Sequence, residues 1–69
     1  MDFYGLKNKA ALEIGKRIKD SENYNISILY LFVLQDYGLS PKFVDTYLET
    51  LKDNGLIMID NKKNTVTWI

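Results

Sequence analysis

Residues 34–57 read Leu34-Gln35-Asp36-Tyr37-Gly38-Leu39-Ser40-Pro41-Lys42-Phe43-Val44-Asp45-Thr46-Tyr47-Leu48-Glu49-Thr50-Leu51-Lys52-Asp53-Asn54-Gly55-Leu56-Ile57. Gly38 can end one helix in a left-handed conformation. Ser40 can cap the next, and Pro41 sits at its first turn, where the missing N–H costs nothing. Val44, Leu48 and Leu51 then recur at helical spacing with Tyr47 at their edge, which predicts a helix from Pro41 to about Asn54. Asp53-Asn54-Gly55 is its stop.

Upstream, Asn25 can cap a helix running to Tyr37. Its interior is apolar on nearly every side, so it requires cover on nearly every side. The same run, rich in β-branched and aromatic residues, is also compatible with a buried strand; its length and the turn after it favour the helix. Phe3, Leu6, Ala10, Ile14 and Ile18 fall on one face of a helix over residues 3–19, with Asp2 as its cap. Asp20-Ser21-Glu22-Asn23 is a polar break. Ala11 and Gly15, four residues apart, form a notch for close helix approach, although glycine in a helix interior costs roughly 0.8–1 kcal/mol against alanine. Downstream, Leu56-Ile57-Met58-Ile59 and Thr65-Val66-Thr67-Trp68-Ile69 read as two strands of a hairpin, closed by the polar loop Asn61-Lys62-Lys63-Asn64. The expected architecture is α+β, mainly α: three helices followed by a two-stranded hairpin, all in one domain over residues 1–69.

The chain has 69 residues with no cysteine and no histidine. It therefore lacks disulfides, thiolate metal sites and the commonest general acid/base. No Gly-rich loop precedes a helix, and no carboxylate cluster has metal-ligand spacing; Asp60-Asn61 with Asn64 lacks the glycine and distal glutamate of a calcium loop. A non-enzyme without metal or cofactor is expected, and no small-molecule ligand is evident. The longest apolar run, Ile28 to Leu34, is seven residues, too short for a membrane span. The N-terminus has no signal-peptide pattern, so a cytoplasmic location is expected.

Net charge is zero, with nine basic and nine acidic residues. Residues 1–20 hold five basic against three acidic side chains, residues 21–60 two against six, and residues 61–69 add Lys62 and Lys63 alone. Both ends are basic and the middle is acidic. Isoleucine, asparagine, lysine and tyrosine are abundant, a bias that AT-rich genomes produce.

The turn Gly38-Leu39, the inward Val44 and Tyr47, and the ending Thr50-Leu51-Lys52-Asp53-Asn54-Gly55-Leu56-Ile57 resemble the winged helix-turn-helix superfamily. The resemblance covers roughly residues 25–69, with the first helix as the family's leading helix. It implies a sequence-specific double-stranded DNA-binding protein and a transcription regulator. Minimal free-standing forms of this kind resemble regulators carried by archaeal or bacterial viruses and plasmids. Ser40, Lys42, Thr46 and Glu49 on the third helix would lie nearest the bases. Asn61, Lys62, Lys63 and Asn64 on the wing would meet phosphates or the flanking minor groove. Two lysines on a loop that buries nothing suit a polyanion, although the same residues also make a soluble turn.

The third helix carries Asp45, Glu49 and Asp53 against Lys42 and Lys52, including like-charge pairs at i,i+4. Phosphate repels such a face, which motivates the alternative of a winged-helix protein-interaction module docking a basic partner. A short unstapled chain with an all-round apolar helix also suggests a homodimer built on helices one and two, with Leu12, Gly15, Tyr30 and Phe32 at the seam. Lys9, Lys16 and Lys19 line one side of helix one, as a solvated face or as further phosphate contacts. The aromatic residues read as core and interface rather than as base-stacking platforms.

Overall fold

Helix α1 spans Phe3–Lys19 and buries Ala10, Ile14 and Ile18 completely, the 3.6-residue stripe expected of an amphipathic helix. This computed structural model describes residues 3–69, with side chains from Gly5 onward. The expected cap Asp2 and the side chains of Phe3 and Tyr4 lie outside the described residues. Two residues of strand β1, Tyr24–Asn25, follow the polar break; α2 covers Ile26–Tyr37 and α3 Pro41–Asp53; the hairpin strands are β2, Ile57–Asp60, and β3, Thr65–Trp68. Three helices followed by a hairpin are thus present, in general terms compatible with a winged-helix arrangement.

The sheet departs from the expected two strands. β1 pairs antiparallel with β3, Tyr24 opposite Val66 and Asn25 opposite Thr65, and gives the order β1-β3-β2. A strand placed before α2 has no sequence signal of its own, because two residues show no period. Its partner makes it a strand. In the hairpin Ile57 faces Trp68 and Ile59 faces Val66, so alternate side chains point inward and Met58 and Thr67 point out.

Local chemistry sets the helix ends. The Asn25 side chain accepts from the Ser27 N–H at 2.8 Å and caps α2. Gly38 has φ +66°, and its N–H donates to Leu34 O at 3.0 Å. A non-glycine residue there would carry the strain of the left-handed region. Ser40 occupies the cap position of α3, but its hydroxyl makes no capping hydrogen bond. At the other end of α3, Leu56 N–H returns to Leu51 O at 3.0 Å.

The core gathers Leu29 and Val33 of α2, Val44, Leu48 and Leu51 of α3, and Ile57 and Val66 of the hairpin around the α1 stripe. Each such side chain contributes about 1.5–3 kcal/mol when fully buried. Arg17 closes one side. Its guanidinium lies 3.9 Å from the centre of the Phe32 ring, donates to the Tyr24 hydroxyl at 3.1 Å, and pairs with Glu13 at 3.3 Å. The bond to Tyr24 is the largest cause holding Arg17 above its ordinary pKa. Phe32 also meets Tyr37 edge-on.

Within the single chain the fold covers only part of α2. Ile28, Leu31 and Leu34 are 50%, 55% and 52% exposed and share one face of the helix. No helix among the described residues is long and apolar enough to cross a membrane.

Candidate nucleic-acid interface

The outward face of α3 divides into two strips by helical spacing. Asp45 and Glu49, four residues apart, form one strip, of which Asp45 reaches α2; Thr46 and Thr50 form the neighbouring one. The strips differ in what they leave available. The Tyr30 hydroxyl of α2 donates to Asp45 Oδ1, so this carboxylate is engaged at the helix–helix junction. That bond is the main cause of a Tyr30 pKa raised to about 12, with burial second. The Thr50 hydroxyl donates back to Thr46 O at 3.0 Å, and Asn54 Nδ2 donates to Thr50 O at 2.8 Å. Lys42, Thr46 and Glu49 remain exposed and border one shallow hollow with Asp45 and Thr50.

A second hollow sits where α1 meets the start of α3, between Lys7, Ser40, Lys42 and Thr46. Lys7 is not among the residues that the sequence points to; only the folded chain brings residues 7 and 42 together. Between α1, α3 and β3 a third hollow is bordered by Leu12, Lys16, Lys19, Tyr47 and Trp68. The Lys19 ammonium lies 4.5 Å from the Trp68 ring centre, a cation–π distance. Burial raises the Tyr47 pKa.

The wing tip is tightly built. Asp60 Oδ1 accepts from the main-chain N–H groups of Lys62 at 3.0 Å and Lys63 at 3.1 Å. An aspartate folding back on the two amides ahead of it is a turn-forming device legible in Asp60-Asn61-Lys62-Lys63. Asn64 has φ +56°, its carbonyl accepts from Ile26 N–H at 2.9 Å, and its Nδ2 donates to the Ser27 hydroxyl at 2.8 Å. Asn61, Lys62 and Lys63 are exposed. The wing lysines and the Lys16–Lys19 pair lie toward opposite ends of the four-residue strand β3. Apart from Lys52 at the end of α3, the lysines form two groups, one at the wing tip and one along α1 and the start of α3.

Of the residues expected at a dimer seam, Leu12 is 75% exposed. Tyr30 is half-buried and committed to Asp45. Gly15 and Phe32 are covered inside the chain, by Tyr47 and by Arg17 with Tyr37 respectively. The notch at Gly15 thus receives α3 of the same chain. Exposed apolar side chains lie elsewhere, on α2 at Ile28, Leu31 and Leu34, and on the hairpin at Leu56, Met58 and Ile69. No group of three or more metal-binding side chains occurs among the described residues.

Compared with protein-family models, with curated proteins and with solved structures, the chain matches none of them. Fold and surface chemistry together are consistent with a small module that binds DNA or a macromolecular partner.

Proposed function

We propose that this chain is a double-stranded DNA-binding module of the winged-helix type, serving as a transcription regulator and working as a homodimer. The observation that carries the reading is the wing: Lys62 and Lys63 stand exposed on a tip whose main chain is fixed by Asp60 and anchored to α2 through Asn64. Two cations on an ordered projection reach a phosphate backbone without first losing loop entropy. In this reading α3 lies in the major groove. Lys42 and Thr46 discriminate bases, while Asp45 has one carboxylate oxygen engaged by Tyr30. No residue is assigned a catalytic role and no cofactor takes part.

A second reading has its own support. Glu49 and Asp53 are exposed on the same face of α3, and an acidic strip suits a basic protein partner. Gel shifts with Glu49→Gln separate the two readings. If the glutamate merely opposes phosphate, non-specific duplex binding tightens; if it docks a basic protein, duplex binding does not change and the protein complex weakens.

A further inference from the structure

We infer that Asn64 and Ser27 form a latch that sets the position of the wing for DNA, so that Asn64 acts as a positioning residue and not as a contact to the nucleic acid. The inference rests on the DNA-binding reading above and gives Asn64 a role other than the one its place in the loop suggests. That place predicts a residue at the interface, but its amide donors face α2: Nδ2 meets the Ser27 hydroxyl at 2.8 Å across 37 positions of chain. Its carbonyl accepts from Ile26 N–H at 2.9 Å. One residue therefore ties the end of the loop to the first turn of α2 by side chain and main chain together.

The residue type fits this double task. With φ +56° the backbone is left-handed, a region that asparagine and glycine tolerate and most side chains do not. Glycine would keep the turn and lose the latch. Among residues at ease in this conformation, asparagine also supplies an amide donor that reaches Ser27. The start of the loop is fixed separately, by Asp60 accepting from Lys62 and Lys63 N–H.

What the latch adds is direction. Pairing of β1 with β3 holds the sheet to the start of α2 but ends at Asn25 opposite Thr65, and the loop beyond it is placed by its own bonds. Asp60 shapes the tip but does not relate it to the helices. The bond to Ser27 does, because Ser27 belongs to α2, and α2 is joined to α3 through Tyr30 and Asp45. The lysines and the face of α3 are thereby presented as one rigid arrangement, and a duplex that must meet both gains from their prior alignment.

The test compares the native chain with Ser27→Ala, Asn64→Gly, the two combined, and Lys62→Ala with Lys63→Ala, each on a random-sequence duplex over a range of salt. Melting curves confirm folding; Ser27→Ala leaves the loop backbone untouched and serves if Asn64→Gly fails to fold. Each latch variant should weaken binding by roughly two- to tenfold, the net worth of one hydrogen bond. The combined variant should lose no more than the stronger single one. The salt slope should stay unchanged, since both lysines remain, and backbone order at residues 61–64 measured by nitrogen-15 relaxation should fall. Unchanged affinity in the latch variants, alongside weakened binding in the lysine variant, would overturn the latch and leave the DNA reading standing. Full additivity of the two latch substitutions would overturn it as well. If the native chain and the lysine variant alike show no salt-sensitive affinity, the DNA reading fails and takes the latch's role with it.

Discussion

Tyr30 on α2 and Asp45 on α3 are joined by a hydrogen bond from the tyrosine hydroxyl to the carboxylate, fifteen positions apart in sequence. The bond holds two helices at a junction whose turn is only three residues long, 38–40. It also engages one carboxylate oxygen of one of the three acids of α3.

Tyr30→Phe should therefore lower stability by about 0.5–1.5 kcal/mol at neutral pH. The alkaline limb carries a further signature. The Tyr30 pKa is raised to about 12 from an ordinary value of 10.0, so above pH 10 the folded chain keeps a proton that the unfolded chain has lost. Stability from this group is complete below about pH 10 and declines toward pH 12. Urea titrations from pH 8 to 12 should show that decline in the native chain and a shallower one in Tyr30→Phe. Parallel curves would remove the assignment.

Gly38 and its left-handed backbone set the α2–α3 turn. A Cβ placed there meets nothing within 4 Å, so the cost of substitution is conformational alone. Gly38→Val should destabilise by more than about 1 kcal/mol, while Gly38→Asn costs less because asparagine tolerates that region. Thermal melts of the two variants measure the difference, and equal melting temperatures would mean the turn is not under this constraint.

Gly15 gives the opposite result. A Cβ at this position would lie 3.7 Å from the Tyr47 hydroxyl, an ordinary separation for packed atoms. Nothing then offsets the gain in helix propensity, and Gly15→Ala should stabilise the chain by about 0.5–1 kcal/mol. A fall in melting temperature would show that α1 and α3 pack more closely than this.

Assembly is testable through α2. Ile28, Leu31 and Leu34 expose an apolar stripe on one face, and a proposed homodimer would cover it. Sedimentation at micromolar concentration should give about twice 8.0 kDa, and Leu31→Lys should return the monomer. A native chain that sediments as a folded monomer would remove the dimer from the account.

What could be read in the sequence was what is decided locally. Gly38-Leu39-Ser40-Pro41 ends and starts helices by the conformational limits of glycine and proline, and α2 ends and α3 begins where those limits place them. Alternation in Thr65-Val66-Thr67-Trp68 is enough for a strand. The missed features depend on distant partners. β1 exists because β3 lies beside it. The bond from Asn64 to Ser27 joins residues 37 positions apart in sequence. The notch at Gly15 is legible as a place for a helix, but nothing in its neighbourhood announces that Tyr47 of α3 fills it. The all-round apolar pattern of α2 does not tell which of its faces the core covers, and the core takes Ile26, Leu29, Phe32 and Val33.

Phosphate binding by the wing is tested most directly by the salt dependence of duplex binding. Affinity for a random-sequence duplex should fall as salt rises from about 50 to 200 mM, because each neutralised phosphate releases counterion. Replacing both Lys62 and Lys63 by alanine should weaken binding to all sequences alike and flatten the logarithmic slope by roughly one unit for each phosphate no longer neutralised. A native chain with no salt-sensitive affinity at about 50 mM salt, or a double variant with an unchanged slope, would contradict the account.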